Sequence, residues 1–251
     1  GEYMTFICDY SELRESGKNH LKTWIMEDKS FEKVKQEYHA QLKKLHQVQA
    51  KVINPRQWSH DEFAEILHEW QGAYLSFWDP AMVPELANWG GEQLLKEELQ
   101  SIIPSEGEFI TAMEKLSAPV YLSFYQEEEL DLLKLKQQER SSNFKEALRE
   151  HAQKYCWIQN SYSETKVLGE RHFQKKLKEL DDKNCAEEIR KVTSLPAKAK
   201  QEKEKIIRRY GLTSKIQKLV ERLSYCIYWQ DARKKEIFKP IKKGQVGMYS
   251  C

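Results

Sequence analysis

A net charge of +2, from 41 Lys+Arg against 39 Asp+Glu in 251 residues, leaves the chain with no general pull toward nucleic acid or anionic membranes. Hydrophobic residues at 40%, with aromatics at 11%, supply a core and exclude disorder throughout, while 10 Gly and 7 Pro are too few for sheet-and-turn or phosphate-loop architectures. The expected class is all-α: an irregular multi-helix bundle of long amphipathic helices joined by Pro- and Gly-broken connections.

Residues 1–19 show no clear period and form an unassigned N-terminal lead; residues 20–240 are expected to form a single helical domain, followed by a mobile tail over 241–251. From Phe31 the apolar positions Val34, Tyr38, Leu42, Leu45 and Val48 recur at three and four, which specifies an amphipathic helix that Asn54-Pro55 ends. Ser59-His60-Asp61-Glu62 has the S-x-x-E form of a capping box, so a second helix starts at His60. Its stripe is Phe63, Ile66, Leu67, Trp70, Tyr74 and Phe77, an aromatic-rich face that needs a broad partner surface. Asp79-Pro80 stops or kinks it. Pro80, Pro84 and Gly90-Gly91 then bracket a short helical piece, with the glycine pair read as a C-cap.

Leu94, Leu95, Leu99 and Ile102 predict another helix, closed by Pro104-Ser105-Glu106-Gly107; Phe109, Met113 and Leu116 predict a short one before Ser117-Ala118-Pro119. Ser123 with Gln126 forms a second capping box, and Glu127, Glu128 and Glu129 sit where the helix dipole favours carboxylates. After a break at Ser141-Ser142-Asn143, the stretch from Asn143 to Ile158 carries His151 and Tyr155 on one helix face and Trp157 roughly opposite. Ser161 with Glu164 gives a third S-x-x-E start, for a helix running to about Asp182. Pro196 divides the charged residues 182–209. Gly211-Leu212 reads as a C-cap with its hydrophobic contact, Thr213 or Ser214 as the next N-cap, and Ile216, Leu219, Val220, Leu223 and Ile227 as the last stripe before Pro240.

Chemistry-bearing patterns are sparse. Glu65 and His68 form an E-x-x-H, but no second copy completes a di-metal bundle, and no metal or other cofactor is expected. No phosphate-binding glycine loop and no G-x-S-x-G elbow occurs. Cys156 with nearby His151 is a minimal nucleophile pair resting on two common residues. Cys8, Cys156, Cys185, Cys226 and Cys251 are odd in number and never spaced C-x-x-C, which suggests free thiols in a reducing compartment; with no run of about 18 apolar residues, a cytoplasmic protein without a membrane span is expected. The basic run from Lys198 to Arg209 is interrupted by Glu202 and Glu204 and reads as a solvated helix face. In Trp229-Gln230-Asp231-Ala232-Arg233-Lys234-Lys235, the four-residue spacing lets the Arg233 guanidinium lie over the Trp229 indole, and Asp231 can pair with Lys234 or Lys235.

The ordered stretches HEWQGAYLSFWDPAMVPEL, LSAPVYLSFYQEEELDLL, HAQKYCWI, RRYGLT and YWQDARKK, spread from about Asp61 to Lys239, together resemble the helical region of phosphoenolpyruvate synthase-like and pyruvate-phosphate dikinase-like phosphotransferases. The matching positions are Leu116, Ala118, Pro119, Ser123, Glu128, Glu129, Asp131, Leu132 and Leu133, then His151, Tyr155 and Trp157, then Trp229, Asp231, Arg233 and Lys234. The family's phosphohistidine motif and its ATP-grasp are absent from these residues. The resemblance therefore implies a non-catalytic scaffold that docks ATP-grasp and swivelling phosphohistidine domains, with no catalytic residue in this chain. His151, Tyr155, Trp157, Trp229, Asp231, Arg233 and Lys234 are its candidate ligand or domain contacts. A helical protein-interaction adaptor unrelated to phosphotransfer is the alternative.

Overall fold

The computed structural model describes residues 9–51, 58–161, 164–180 and 184–238. The protein is all-α, and among the described residues every regular element is helical: α1 (Tyr10–His20), a π-helical segment Leu21–Met26, α2 (Asp28–Lys51), α3 (His60–Gln100), α4 (Glu106–Ser117), α5 (Phe124–Gln137), α6 (Phe144–Tyr155), α7 (Glu170–Lys178), α8 (Cys185–Tyr210) and α9 (Ser214–Phe238). The expected stop at Asn54-Pro55 and the tail over 241–251 lie outside the described residues. The helix groups into two compact units, each assembled from three stretches: the first from described residues within Gly1–Ala40, Trp78–Val120 and Ala197–Gln230, the second from those within Gln41–Phe77, Tyr121–Pro196 and Asp231–Cys251.

Local chemistry sets most boundaries. The unassigned lead contains α1, whose Asp9 side chain caps it by accepting from Ser11 N–H at 2.7 Å. Both halves of the Ser59 capping box are made: Ser59 N–H donates to Glu62 Oε2 at 2.8 Å and Glu62 N–H donates to Ser59 Oγ at 3.3 Å. The Ser123 box is complete as well, with Gln126 N–H on Ser123 Oγ and Ser123 N–H on Gln126 Oε1. Gly211 takes φ +59°, and Leu212 N–H reaches back to Ile207 O at 3.0 Å with its side chain buried, the six-to-one closure of a Schellman end.

Three expected breaks are not breaks. α3 runs unbroken through Pro80, Pro84 and Gly90-Gly91, and α8 through Pro196. Each proline forfeits only its own N–H bond, a loss of about 3 kcal/mol that burial can offset. Both Pro80 and Pro84 are buried, and the Pro84 carbonyl also accepts a bond from Gln230 Nε2 at 3.2 Å. Gly90 is a helix crossing and not a C-cap: α1 lies so close that a Cβ at Gly90 would fall 2.0 Å from the carbonyl carbon of Gly17, and a Cβ at Gly17 would fall 2.6 Å from Leu86 O. In the opposite sense, Ser161 and Glu164 bond to one another without starting a helix. Ser161 N–H donates to Glu164 O, Glu164 N–H donates to Ser161 Oγ, and α7 begins only at Glu170.

Within the second unit, α5, α6 and α7 pack around a core of Phe124, Leu132, Leu148, Tyr155, Trp157 and Phe173. In the first unit Leu21, Ile25, Leu95, Leu99, Leu116 and Leu223 are all fully buried.

Candidate functional site

The first two turns of α5 present the carboxylates Glu127, Glu128 and Asp131, and each is taken up by different neighbours. Glu128, 3% exposed, receives His151 Nε2 from α6 at 3.3 Å and Lys176 Nζ from α7 at 2.8 Å. One turn on, Asp131 Oδ2 accepts from Lys154 Nζ at 2.6 Å and from the Tyr155 hydroxyl at 2.8 Å. Glu127 pairs with Lys235 of α9, which leaves Asp231 to accept the Phe124 N–H at 3.2 Å, one of the orphan donors at the start of α5. Of the two lysines expected as partners of Asp231, Lys235 goes to Glu127 instead, while Asp231 serves a helix cap.

The electrostatics follow from these bonds. Burial pushes the Glu128 carboxyl up, but the hydrogen bonds from His151 and Lys176 outweigh it and hold the group below the usual carboxylate range. An ionised Glu128 only accepts, so His151 Nε2 carries the proton in this contact. Asp131 is likewise raised by burial and lowered further by Lys154 and Tyr155; burial, reinforced by the Asp131 charge, pushes the Tyr155 phenol up.

His151 and Tyr155 come together as their spacing predicts, with ring centroids 4.9 Å apart, and Phe173 meets the His151 ring edge-on at 4.9 Å. Trp157 does not point away. It lies past the end of α6, donates Nε1–H to Lys154 O at 2.8 Å, and its ring faces Phe124 at 5.4 Å inside the same core. A residue beyond the last helical turn no longer obeys the helical wheel. Arg233 is buried in the second unit, Lys234 is exposed, and Trp229 belongs to the first unit, where Tyr38 and Tyr225 meet it edge-on at 5.1 and 5.8 Å. Lys176, which the sequence reading passed over, supplies the second bond to Glu128; its signal was the run of carboxylates in α5, more than solvent exposure alone would require.

The network can hold protons, but it is closed: the His151 and Glu128 side chains are 5% and 3% exposed. Its chemical role is to lock α5, α6 and α7 in one register, the specificity that buried polar pairs can confer. The Cys156–His151 nucleophile is opposed by burial, which raises the Cys156 thiol above its ordinary value. Glu65 and His68 are both exposed on α3, and no group of three metal-ligating side chains occurs among the described residues.

Two surfaces are open. In the first unit a groove of about 550 Å³ runs between α4 and α8, lined by Glu108, Thr111, Lys115, Glu202, Lys205 and Arg209. Its cations are committed: Lys115 and Lys205 both bond Glu202 at 2.6 Å, holding that carboxyl near pKa about 2, and Arg209 pairs with Glu108. The basic run of α8 is therefore not an unbroken solvated face, and Lys203 turns inward to the Leu116 carbonyl.

The other surface is the first half of α3. Ala73 and Phe77 are buried, yet the same apolar stripe continues toward the N-terminus uncovered: Trp70 and Tyr74 are half-buried, Leu67 is 45% exposed and Phe63 39%. The rings are ordered against one another. Trp70 stacks on Tyr74 at 5.0 Å and 17°, and Trp58 leans on Phe63 at 6.1 Å. No residue from His60 to Gly72 is buried.

No family model matches the chain, and neither a curated protein nor a solved structure matches it. None of these comparisons links the chain to phosphoenolpyruvate synthase-like phosphotransferases.

Proposed function

We propose that the chain is a helical docking domain with no chemistry of its own, and that the uncovered aromatic stripe of α3 is where it docks. The stripe carries the reading. About three helical turns of large apolar side chains, Phe63 to Tyr74, stand partly in water, aligned with residues that are fully buried farther along the same helix, and surfaces of this kind mark interaction sites. The candidate residues on α6 support it from the other side. His151 and Tyr155 are consumed by Glu128 and Asp131, so a substrate would have to break these hydrogen bonds to reach them. The resemblance extends the reading to one context: ATP-grasp and swivelling phosphohistidine domains as the bodies this domain serves.

Calorimetric titration with ATP and with phosphoenolpyruvate tests the docking reading. Heats equal to dilution are expected; stoichiometric binding of either by this chain would assign it a nucleotide or substrate site and overturn the reading. The phosphotransferase context is tested separately by the adjoining coding sequence, where an ATP-grasp or phosphohistidine module is expected and an unrelated neighbour counts against it.

A further inference from the structure

We infer that α7 is an acid-released latch: protonation of His172 undocks α7 from α5 and α6 in mildly acidic solution while the remaining helices stay folded. The inference is independent of the docking reading. His172 stands in the first turn of α7, beside the buried Phe173, whose ring it meets edge-on at 5.0 Å. Its Nε2 is enclosed and has no hydrogen-bond partner among the described residues. A neutral imidazole tolerates this by keeping its one proton on Nδ1. An imidazolium carries N–H donors on both nitrogens, and the enclosed one has nothing to receive it.

Two further features of α7 oppose the same charge. His172 and Lys176 are four residues apart, so a protonated ring forms a like-charge pair on one helix face with the lysine that holds Glu128. The first turn is also the positive end of the helix dipole. The charged groups that face the ring come from each element around it: Glu128 from α5, His151 from α6 across the Phe173 ring, Lys166 from the connection before α7, and Lys176 and Glu179 from the α7 end of the chain itself. Glu128 is already bonded to His151 and Lys176, and Glu179 is exposed at the far end of the helix, so neither carboxylate offsets the new charge. Burial, reinforced by the Lys176 charge, holds the His172 ring below its ordinary value of 6.5.

The free helix takes up the proton near 6.5 and the docked helix resists it, so docking weakens as pH falls through 6.5 toward the lower docked value. The Glu128 contacts respond later, because that carboxyl titrates below 4.5. α7 is the element that yields: it has 9 residues, too few to persist as a helix alone, and its buried side chains are Phe173 and Leu177.

The experiment follows hydrogen exchange of the full chain from about pH 7.5 to about pH 5, corrected for the intrinsic exchange rate, beside an NMR titration of the His172 ring. Protection at Phe173 and Leu177 is expected to fall at least about threefold across that range, while Leu219 and Leu223 of α9 keep theirs. His172→Gln, which cannot take a charge, should remove the fall; His60→Gln, at an exposed histidine, should leave it in place. A fall that persists in His172→Gln assigns the acid response to another group and overturns the inference. Constant protection at α7 overturns it as well, as does a loss shared by Leu219 and Leu223, which is unfolding of the whole chain. Should His172→Gln not fold, the ring titration of the wild-type chain decides: a midpoint below 6.5 is expected, and one at or above 6.5 rules the latch out.

Discussion

Gly90 and Gly17 meet backbone to backbone. The crossing of α1 over α3 in the first unit has no room for a side chain on either helix, and the nearest neighbours of a Cβ at these positions are main-chain atoms that cannot rotate away. Gly90→Ala should therefore force the helices apart and cost about 2–4 kcal/mol, in the range of overpacking a core. Gly72, in the exposed half of α3, has nothing within 4 Å of its would-be Cβ. Gly72→Ala should instead stabilise by roughly 0.5–1 kcal/mol through helix propensity alone. Urea unfolding of the two variants should give shifts of opposite sign.

Glu128→Gln tests the buried network. Removing one member of a buried charge pair costs about 3–5 kcal/mol, and the low end applies because Lys176 can reach water. The pH dependence has a definite sign. The folded Glu128 carboxyl titrates below its ordinary value of 4.5, so its contribution is fully present above that pH and is lost as pH falls through the lower folded value. The stability gap between wild type and variant should close on acidification below about pH 4.5. A gap that persists unchanged there would show that the carboxylate's charge is not what matters.

Lys203 gives the converse case. Burial pushes its ammonium down to about 8 from 10.5, so the folded state carries a cost for the charged form below that value, and the cost is relieved as pH rises from 8 toward 10.5. Lys203→Met should be more stable than wild type at neutral pH by about 1–2 kcal/mol, after subtracting the bond to the Leu116 carbonyl. The advantage should shrink between pH 8 and 10.5, which thermal unfolding across that range would follow.

Ser123→Ala removes the oxygen that accepts the Gln126 N–H at the start of α5 and should cost about 1 kcal/mol. Because Glu127, Glu128 and Asp131 all project from that helix's first two turns, fraying there should also loosen α6. Hydrogen exchange is expected to rise at Leu148 and Ala152 along with α5; a rise confined to α5 would mean the carboxylate contacts do not couple the helices.

The Ser59 and Ser123 boxes and the Gly211 end are local chemistry and legible in the sequence, whereas the equally local Asp9 cap of α1 sits in a stretch with no apolar period to announce its helix. Much of the rest is decided at long range. Pro80, Pro84 and Pro196 look like breakers because the local cost is visible and the burial that offsets it is not. Gly90 looks like a cap because only the presence of Gly17, 73 positions earlier in the chain, reveals it as a crossing. Ser161-x-x-Glu164 has the letters of a cap, and its Glu164 N–H does bond Ser161 Oγ, but the helix that follows starts only at Glu170. Of the candidate site, the His151–Tyr155 pairing followed from spacing, while the partners that close it, Glu128, Asp131 and Lys176, lie more than 20 residues away in the sequence.

Each unit draws on chain from both ends of the sequence, and this bears on how the protein is made. Asp28, at the start of α2, is held by Arg222 at 2.7 Å, 194 residues later. At a synthesis rate of roughly 5–20 residues per second, α2 waits about 10–40 s on the ribosome before that partner emerges. During that interval the apolar faces of α2 and α3 have no final cover, so nascent chains of this protein are expected to be clients of ribosome-associated chaperones until α9 emerges.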